Sequence, residues 1–183
     1  MNSGQDLTVY DVFINLDLAW SGPPGAWWAL NESGRAAVTA FFEAGGDYIG
    51  LTYDGAMFAM DAGLVNFEYE YNREPDAILN INYNLNNGVA AGFRENGYAY
   101  VLGAMWFTDL NGATSSASIV GEDFLVAGFW PGWQASSANG KSVILNKDSD
   151  AQDTVLIGID ATFRGHPKNT FRLVGNAIYS GLD

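Results

Sequence analysis

Hydrophobic and polar positions along this chain change period several times, and the changes mark its elements. Leu7-Thr8-Val9-Tyr10-Asp11-Val12-Phe13-Ile14-Asn15 is β-prone and predicts an early strand. Ala37, Val38, Phe41 and Phe42 then recur at helical spacing. Asn31 or Ser33 caps the start of that helix, and Gly45 suits the left-handed residue after its end at Ala44. A short β-prone run follows from Asp47, and a turn bounded by Gly50 and Gly55 leads into the apolar, helix-prone Met57-Phe58-Ala59-Met60. The succession reads as helix, buried strand, sharp turn, helix. In open α/β sheets the carboxyl end of such a strand is where ligands bind, and a nucleophile on the turn sits at the next helix's N-terminus.

Farther on, Asn66 to Asn72 and Leu79 to Asn86 alternate with period two, the pattern of antiparallel strands with one solvated face. Apolar runs follow at Tyr98 to Leu102 and Met105 to Phe107, then a short strand at Ala117 to Val120. Lys141 to Leu145 and Thr154 to Asp160 read as neighbouring strands, and Phe171, Val174, Ala177 and Ile178 share one face of a closing helix over Thr170 to Tyr179. No repeat or low-complexity linker divides the chain, so residues 1–183 are read as a single domain. The predicted fold class is α/β: a flavodoxin-like, open, mostly parallel sheet with helices on both faces and an antiparallel extension. A doubly wound domain usually has a strand and helix before such a point, so the first strand–helix unit is expected to be missing, with Met1 a start placed inside a longer protein.

Composition narrows the chemistry. The chain has no cysteine, which removes disulfides, thiolate nucleophiles and sulfur-ligated zinc together. Its formal charge is −13 with eight basic residues, so a phosphate backbone is repelled and no nucleic-acid partner is expected. No run approaches the roughly 18 apolar residues of a membrane span, and the N-terminus lacks the basic start and apolar block of a signal peptide. Twenty-two glycines imply many tight turns.

Two loops are rich in tryptophan: Trp20, Trp27 and Trp28 in one, Trp130 and Trp133 in the other. Core packing is the default for these indoles, and an aromatic platform for a sugar or peptide is the alternative. Glu68 and Glu70 point the same way, as a strand's solvent face does. Asp148, Asp150 and Asp153 loosely resemble a calcium loop but lack its glycine and bidentate glutamate, so they read as a solvated hairpin turn. No metal and no cofactor is expected.

The turn after the central strand offers Thr52, Tyr53 and Asp54, and His166 is the chain's one histidine. Gly45-Gly46-Asp47-Tyr48-Ile49-Gly50 followed by Gly55-Ala56 resembles the nucleophile-elbow region of class I glutamine-amidotransferase-like domains, where a Gly-x-Cys-x-Gly turn carries the catalytic cysteine. The segment from Thr162 to Leu173, with Phe163-Arg164-Gly165-His166-Pro167 at its heart, looks like the end of the amidotransferase-like domains appended to secreted zinc carboxypeptidases, as does Gly128-Phe129-Trp130-Pro131. The resemblance implies an accessory domain whose partner is the preceding catalytic domain of a parent protein, or another protein. It also implies an extracellular or periplasmic location if the domain belongs to a secreted peptidase.

Departures from the family pattern point away from its reaction. Thr52 or Tyr53 stands where the cysteine belongs, and four residues rather than three separate Gly50 from Gly55. A β-branched Thr52 is poorly suited to a positive-φ turn, and its hydroxyl has almost no ionised form of its own. Lys168 replaces the glutamate that orients the family's histidine, and a cation cannot accept the ring N–H. The expectation is therefore a non-catalytic accessory domain. A small ligand, if one binds, is expected in a crevice lined by Gly50, Thr52, Tyr53, Asp54 and Gly55. Two alternatives stand beside it: a weak hydrolase using Thr52 or Tyr53 with His166, and a carbohydrate-binding module built on the tryptophan loops.

Overall fold

The computed structural model describes residues 2–16, 26–149, 152–163 and 169–180. Eight strands form one sheet: β1 (Val12–Asn15), β2 (Asp47–Leu51), β3 (Glu68–Tyr83), β4 (Asn96–Asp109), β5 (Thr114–Ile119), β6 (Leu125–Phe129), β7 (Ser142–Lys147) and β8 (Thr154–Ile157). Four α-helices accompany them: α1 (Glu32–Glu43), α2 (Thr52–Asp61), the single turn α3 (Ala135–Ala138) and α4 (Phe171–Ser180).

The sheet runs β1-β2-β8-β7-β4-β3-β5, and β5 returns to pair with β7, closing β7, β4, β3 and β5 into a four-stranded barrel. Only β1–β2 and β2–β8 are parallel; the pairings of β3 with β4, β5 and β6, and of β7 with β4, β5 and β8, are antiparallel. The expected flavodoxin-like, open, mostly parallel sheet is therefore overturned. The reason lies in the connections. Parallel neighbours need a crossover of about a dozen residues or more, usually a helix. Between β3 and β7 the described helical segments are single turns, at Gly88–Ala90, Gly132–Gln134 and Ala135–Ala138. Strands joined without crossover helices return beside their predecessors, and the period-two alternation of β3 already carried that signature.

Two runs that read as separate strands are one. β3 continues through Pro75, because the β3–β4 register shifts between Asn72 and Asp76, where the strand bulges opposite Gly103. Gly103 takes φ 77°, so β4 likewise passes unbroken from Asn96 to Asp109. In contrast, Gly128-Phe129, expected in a loop, ends strand β6 on the flank of β3.

Two layers of core sandwich the parallel strands. Val38 of α1 and Ala56, Phe58 and Ala59 of α2 pack with Tyr48 and Leu156 on one face. Leu173 and Ala177 of α4 pack with Ile49, Leu51, Val155 and Ile157 on the other. The side-chain alternation of β2 feeds both. α4 buries Leu173 and Ala177 rather than Phe171, which is 40% exposed. Asn31 caps α1 by accepting the Gly34 N–H at 2.8 Å, and Gly45 takes φ 92° after its end, as its sequence implies.

Candidate functional site

The strand β2 runs straight into α2 with no intervening loop: Leu51 is the last extended residue and Thr52 the first helical one. Residues 53–56, which read as a turn, are the helix's opening. The reversal is made at Thr52 itself, at φ 54°, one of two described non-glycine residues with positive φ. The expectation that a β-branched residue would avoid this conformation fails. The surrounding packing imposes it, and left-handed backbone costs a non-glycine residue about 1–2 kcal/mol.

That packing is a contact between two glycine backbones. A Cβ on Gly50 would lie 2.7 Å from the Gly55 carbonyl oxygen, and a Cβ on Gly55 would lie 2.7 Å from the Gly50 Cα. Only glycine at both places lets the first turn of α2 sit down on the end of β2. The Tyr48 hydroxyl fastens it from beneath, donating to the Gly55 carbonyl at 2.7 Å. Burial pushes the Tyr48 phenol far above its usual range, so it stays a donor at any ordinary pH. Its ring stacks on Phe58, with centroids 5.5 Å apart, and Phe13 meets both rings edge-on.

Gly50, Thr52 and Gly55 are thus brought together, in a form that seals the candidate chemistry. The Thr52 Oγ1 is buried and has no hydrogen-bond partner among the described residues. Tyr53 stacks on Tyr71 at 4.4 Å and meets Tyr69 edge-on at 5.9 Å. A hydrogen bond between the Tyr53 and Tyr69 hydroxyls, helped by partial burial and nearby charge, pushes the Tyr69 phenol up to about 12. Asp54 lies in the first turn of α2, where a carboxylate complements the helix dipole. His166 lies outside the described residues, as do Arg164, Lys168 and Trp20.

The other tryptophans are divided. Trp130 is 7% exposed, against Trp106 and Phe124, and Trp27 meets Phe58 edge-on at 5.6 Å. Trp28 and Trp133 are exposed, on separate elements. Glu70 accepts a hydrogen bond from Ser137 at 2.9 Å, while Glu68 is exposed at the start of β3. Asp150 is outside the described residues, and Asp153 instead gives its backbone N–H to Asp47 at 2.8 Å. Among the described residues no group of three or more histidine, aspartate or glutamate side chains is placed to hold a metal ion, and no helix is long and apolar enough to cross a membrane.

One surface went unread in the sequence. On the outer face of the β3–β4–β6 ribbon, Phe129 and Leu102 flank Asp76 on either side, with Ile78 two residues on and Leu125 at the far end of β6. All four apolar side chains are at least 39% exposed. The signal was present: in Leu125-Val126-Ala127-Gly128-Phe129 no polar residue alternates with the apolar ones.

No protein-family model matches this chain, and no curated protein sequence matches it. Solved structures do share its fold. A GMP synthase component from Thermoplasma acidophilum aligns over 81% of this chain with a TM-score of 0.54 at 9% identity; the chain spans 64% of that protein. A ThuA-like protein from Bacteroides uniformis aligns over 93%, with a TM-score of 0.53, 16% identity and 69% of its own length. The α-L-fucosidase isoenzyme 2 from Paenibacillus thiaminolyticus aligns over 96%, with a TM-score of 0.57 and 14% identity, and the matched part is 25% of that enzyme. The chain is similar in fold to glutamine-amidotransferase-like domains, at identities that speak to fold alone.

Proposed function

We propose that this chain is a non-catalytic amidotransferase-like domain, serving as an accessory or interaction module of a larger enzyme. The observation that carries this reading is the state of Thr52. It holds the backbone position of an elbow nucleophile, yet its hydroxyl is buried and has no partner among the described residues that could take its proton. Tyr53, the other candidate, is held by Tyr69 and Tyr71. The apolar strip of Ile78, Leu102, Leu125 and Phe129 supports an interaction role, since exposed apolar surface of this kind marks partner sites. The fucosidase alignment supports a domain that occurs as a quarter of a longer enzyme. The parent implied by the resemblance of the closing segment is a secreted zinc-carboxypeptidase-like protein, with the catalytic zinc on another domain.

Turnover of glutamine and of p-nitrophenyl acetate tests the reading. The protein and its Thr52→Ala variant should both match the buffer rate. Hydrolysis that vanishes in Thr52→Ala or in His166→Ala would overturn it in favour of a hydrolase. The parent is tested by the coding sequence around this chain, where a His-x-x-Glu segment with a distant second histidine would identify the zinc domain.

A further inference from the structure

The connection from β3 to β4 and the start of α4 enclose a cavity of about 500 Å³, within the range of small-molecule sites. Its lining includes Tyr83, Phe93, Arg94, Asn96, Asn169 and Arg172. The charge there is opposite to that of the whole molecule. The chain has 21 acidic and eight basic residues, yet two arginines and no carboxylate line this cavity. Glu95, between Arg94 and Asn96 in sequence, is not part of the lining. In a protein of formal charge −13, arginines gathered without an acid beside them are placed against the prevailing field.

Three further features show that the cavity is built. Tyr83 is 2% exposed, and its hydroxyl has no hydrogen-bond partner among the described residues. Arg172 donates one Nη1 hydrogen bond to the Gly92 carbonyl at 2.7 Å and lies 5.9 Å from the centroid of the Phe93 ring. A guanidinium has five N–H donors, and the carbonyl takes one. Two glycines of the wall leave room for these side chains: a Cβ on Gly92 would lie 2.7 Å from the Arg172 Nη1, and one on Gly97 would lie 2.8 Å from the Tyr83 ring. Phe93 itself leans on Tyr83 with centroids 4.5 Å apart, so aromatic surface lies beside the cations.

We propose that this cavity binds a small carboxylate carried on a six-membered ring. The Arg94 and Arg172 guanidiniums take the carboxylate in forked hydrogen bonds, the Asn96 and Asn169 amides serve polar groups on the body, and the Phe93 and Tyr98 rings face the ring. The site lies on the α4 side of the sheet and does not depend on the elbow's being inert.

Calorimetric titration of the whole protein at low salt tests it with benzoate and glucuronate, which separate a flat ring from a sugar ring. Benzamide and glucose serve as their uncharged counterparts. One of the two acids should bind with Kd of about 1 mM or tighter, and its neutral counterpart at least about tenfold more weakly. Arg94→Gln should weaken the acid about tenfold and leave the circular dichroism unchanged, Arg94 being exposed. Arg172→Gln should do the same; if losing its bond to Gly92 unfolds the protein, Arg94→Gln decides alone. Failure of both acids to bind, or unchanged affinity in Arg94→Gln, would overturn the proposal. Inorganic phosphate binding as tightly as the better acid would overturn the ring's part in it.

Discussion

The end of β2 and the cavity beside α4 hold opposite halves of what a functional site needs. At β2 the backbone is constrained: Thr52 has positive φ, and Gly50 and Gly55 touch through their backbones. The side chains there are closed off, with the Thr52 hydroxyl buried and Tyr53 stacked on Tyr71. At the cavity the backbone is an ordinary strand connection, while the side chains are charged, amide-bearing and open to a ligand. Catalytic-looking geometry can therefore outlast its chemistry, because packing two layers of core onto one strand needs a sharp turn whether or not a nucleophile sits on it. Binding chemistry can equally arise where no motif announces it.

The largest expected effect tests whether the elbow is a packing device. Gly55→Ala forces a Cβ to within 2.7 Å of the Gly50 backbone, where no flexible side chain can give way. It should cost about 3 kcal/mol in urea unfolding, while Gly132→Ala, with nothing within 4 Å, should stay within about 0.5 kcal/mol. Equal tolerance at both sites would break the comparison, since the elbow would then be free to relax.

On the cavity side the corresponding probe is alkaline pH. Burial pushes the Tyr83 phenol up to about 12, against about 10 in an unfolded chain. Above the lower value the unfolded chain gives up a proton that the folded one keeps, so stability is complete below about pH 10 and falls as pH rises toward 12. The slope from this one group reaches at most about 1.4 kcal/mol per pH unit. Unfolding at about pH 9, 10 and 11 should show a decline that Tyr83→Phe makes shallower. An unchanged slope would mean that the hydroxyl is solvated, and the cavity would lose one of its built features.

A smaller effect returns to the elbow. Thr52→Val keeps the branched shape and the positive-φ strain but removes a buried hydroxyl with no described partner. Leaving such a group unpaired costs about 1–3 kcal/mol, so the variant should be more stable by about 1 kcal/mol in thermal or urea unfolding. A loss of stability would mean that Thr52 is bonded after all, and the elbow would regain a claim to chemistry.

Part of this arrangement was legible in the sequence. The cap at Asn31, the glycine at position 45 and the junction near Gly50 all follow from short-range rules that act within a few residues. Strand direction did not, because it depends on which elements lie between strands: residues 128 and 129 read as loop although they end β6 beside β3. The conformation of Thr52 was misjudged for a related reason. Local sterics disfavour it, and the Gly50–Gly55 contact, which forces it, appears only once strand and helix are packed. Arg94 and Arg172 are 78 positions apart, so no window of sequence joins them; their scarcity in an acidic chain was the one available sign.

The smallest effect asks whether tension is confined to the elbow or belongs to the whole parallel half. At the opposite end of β2, Asp47 is 7% exposed, and its carboxylate accepts the Asp153 N–H at 2.8 Å. Burial raises its pKa, that hydrogen bond opposes the rise, and the charge of Asp11 adds to it. A carboxyl whose folded pKa is raised contributes its full stability below the unfolded value of about 3.9 and loses it as pH climbs through the folded value. Acidifying from neutral should therefore stabilise the protein slightly through this group. Asp47→Asn keeps an oxygen for the Asp153 N–H while removing the buried charge, so it should gain about 0.5 kcal/mol at pH 7 and flatten the acid rise. A gain as large as that of Thr52→Val would locate the tension in β2 as a whole, in a strand buried on both faces. A gain confined to Thr52→Val would leave the elbow as the one place where this half of the molecule holds a polar group at cost.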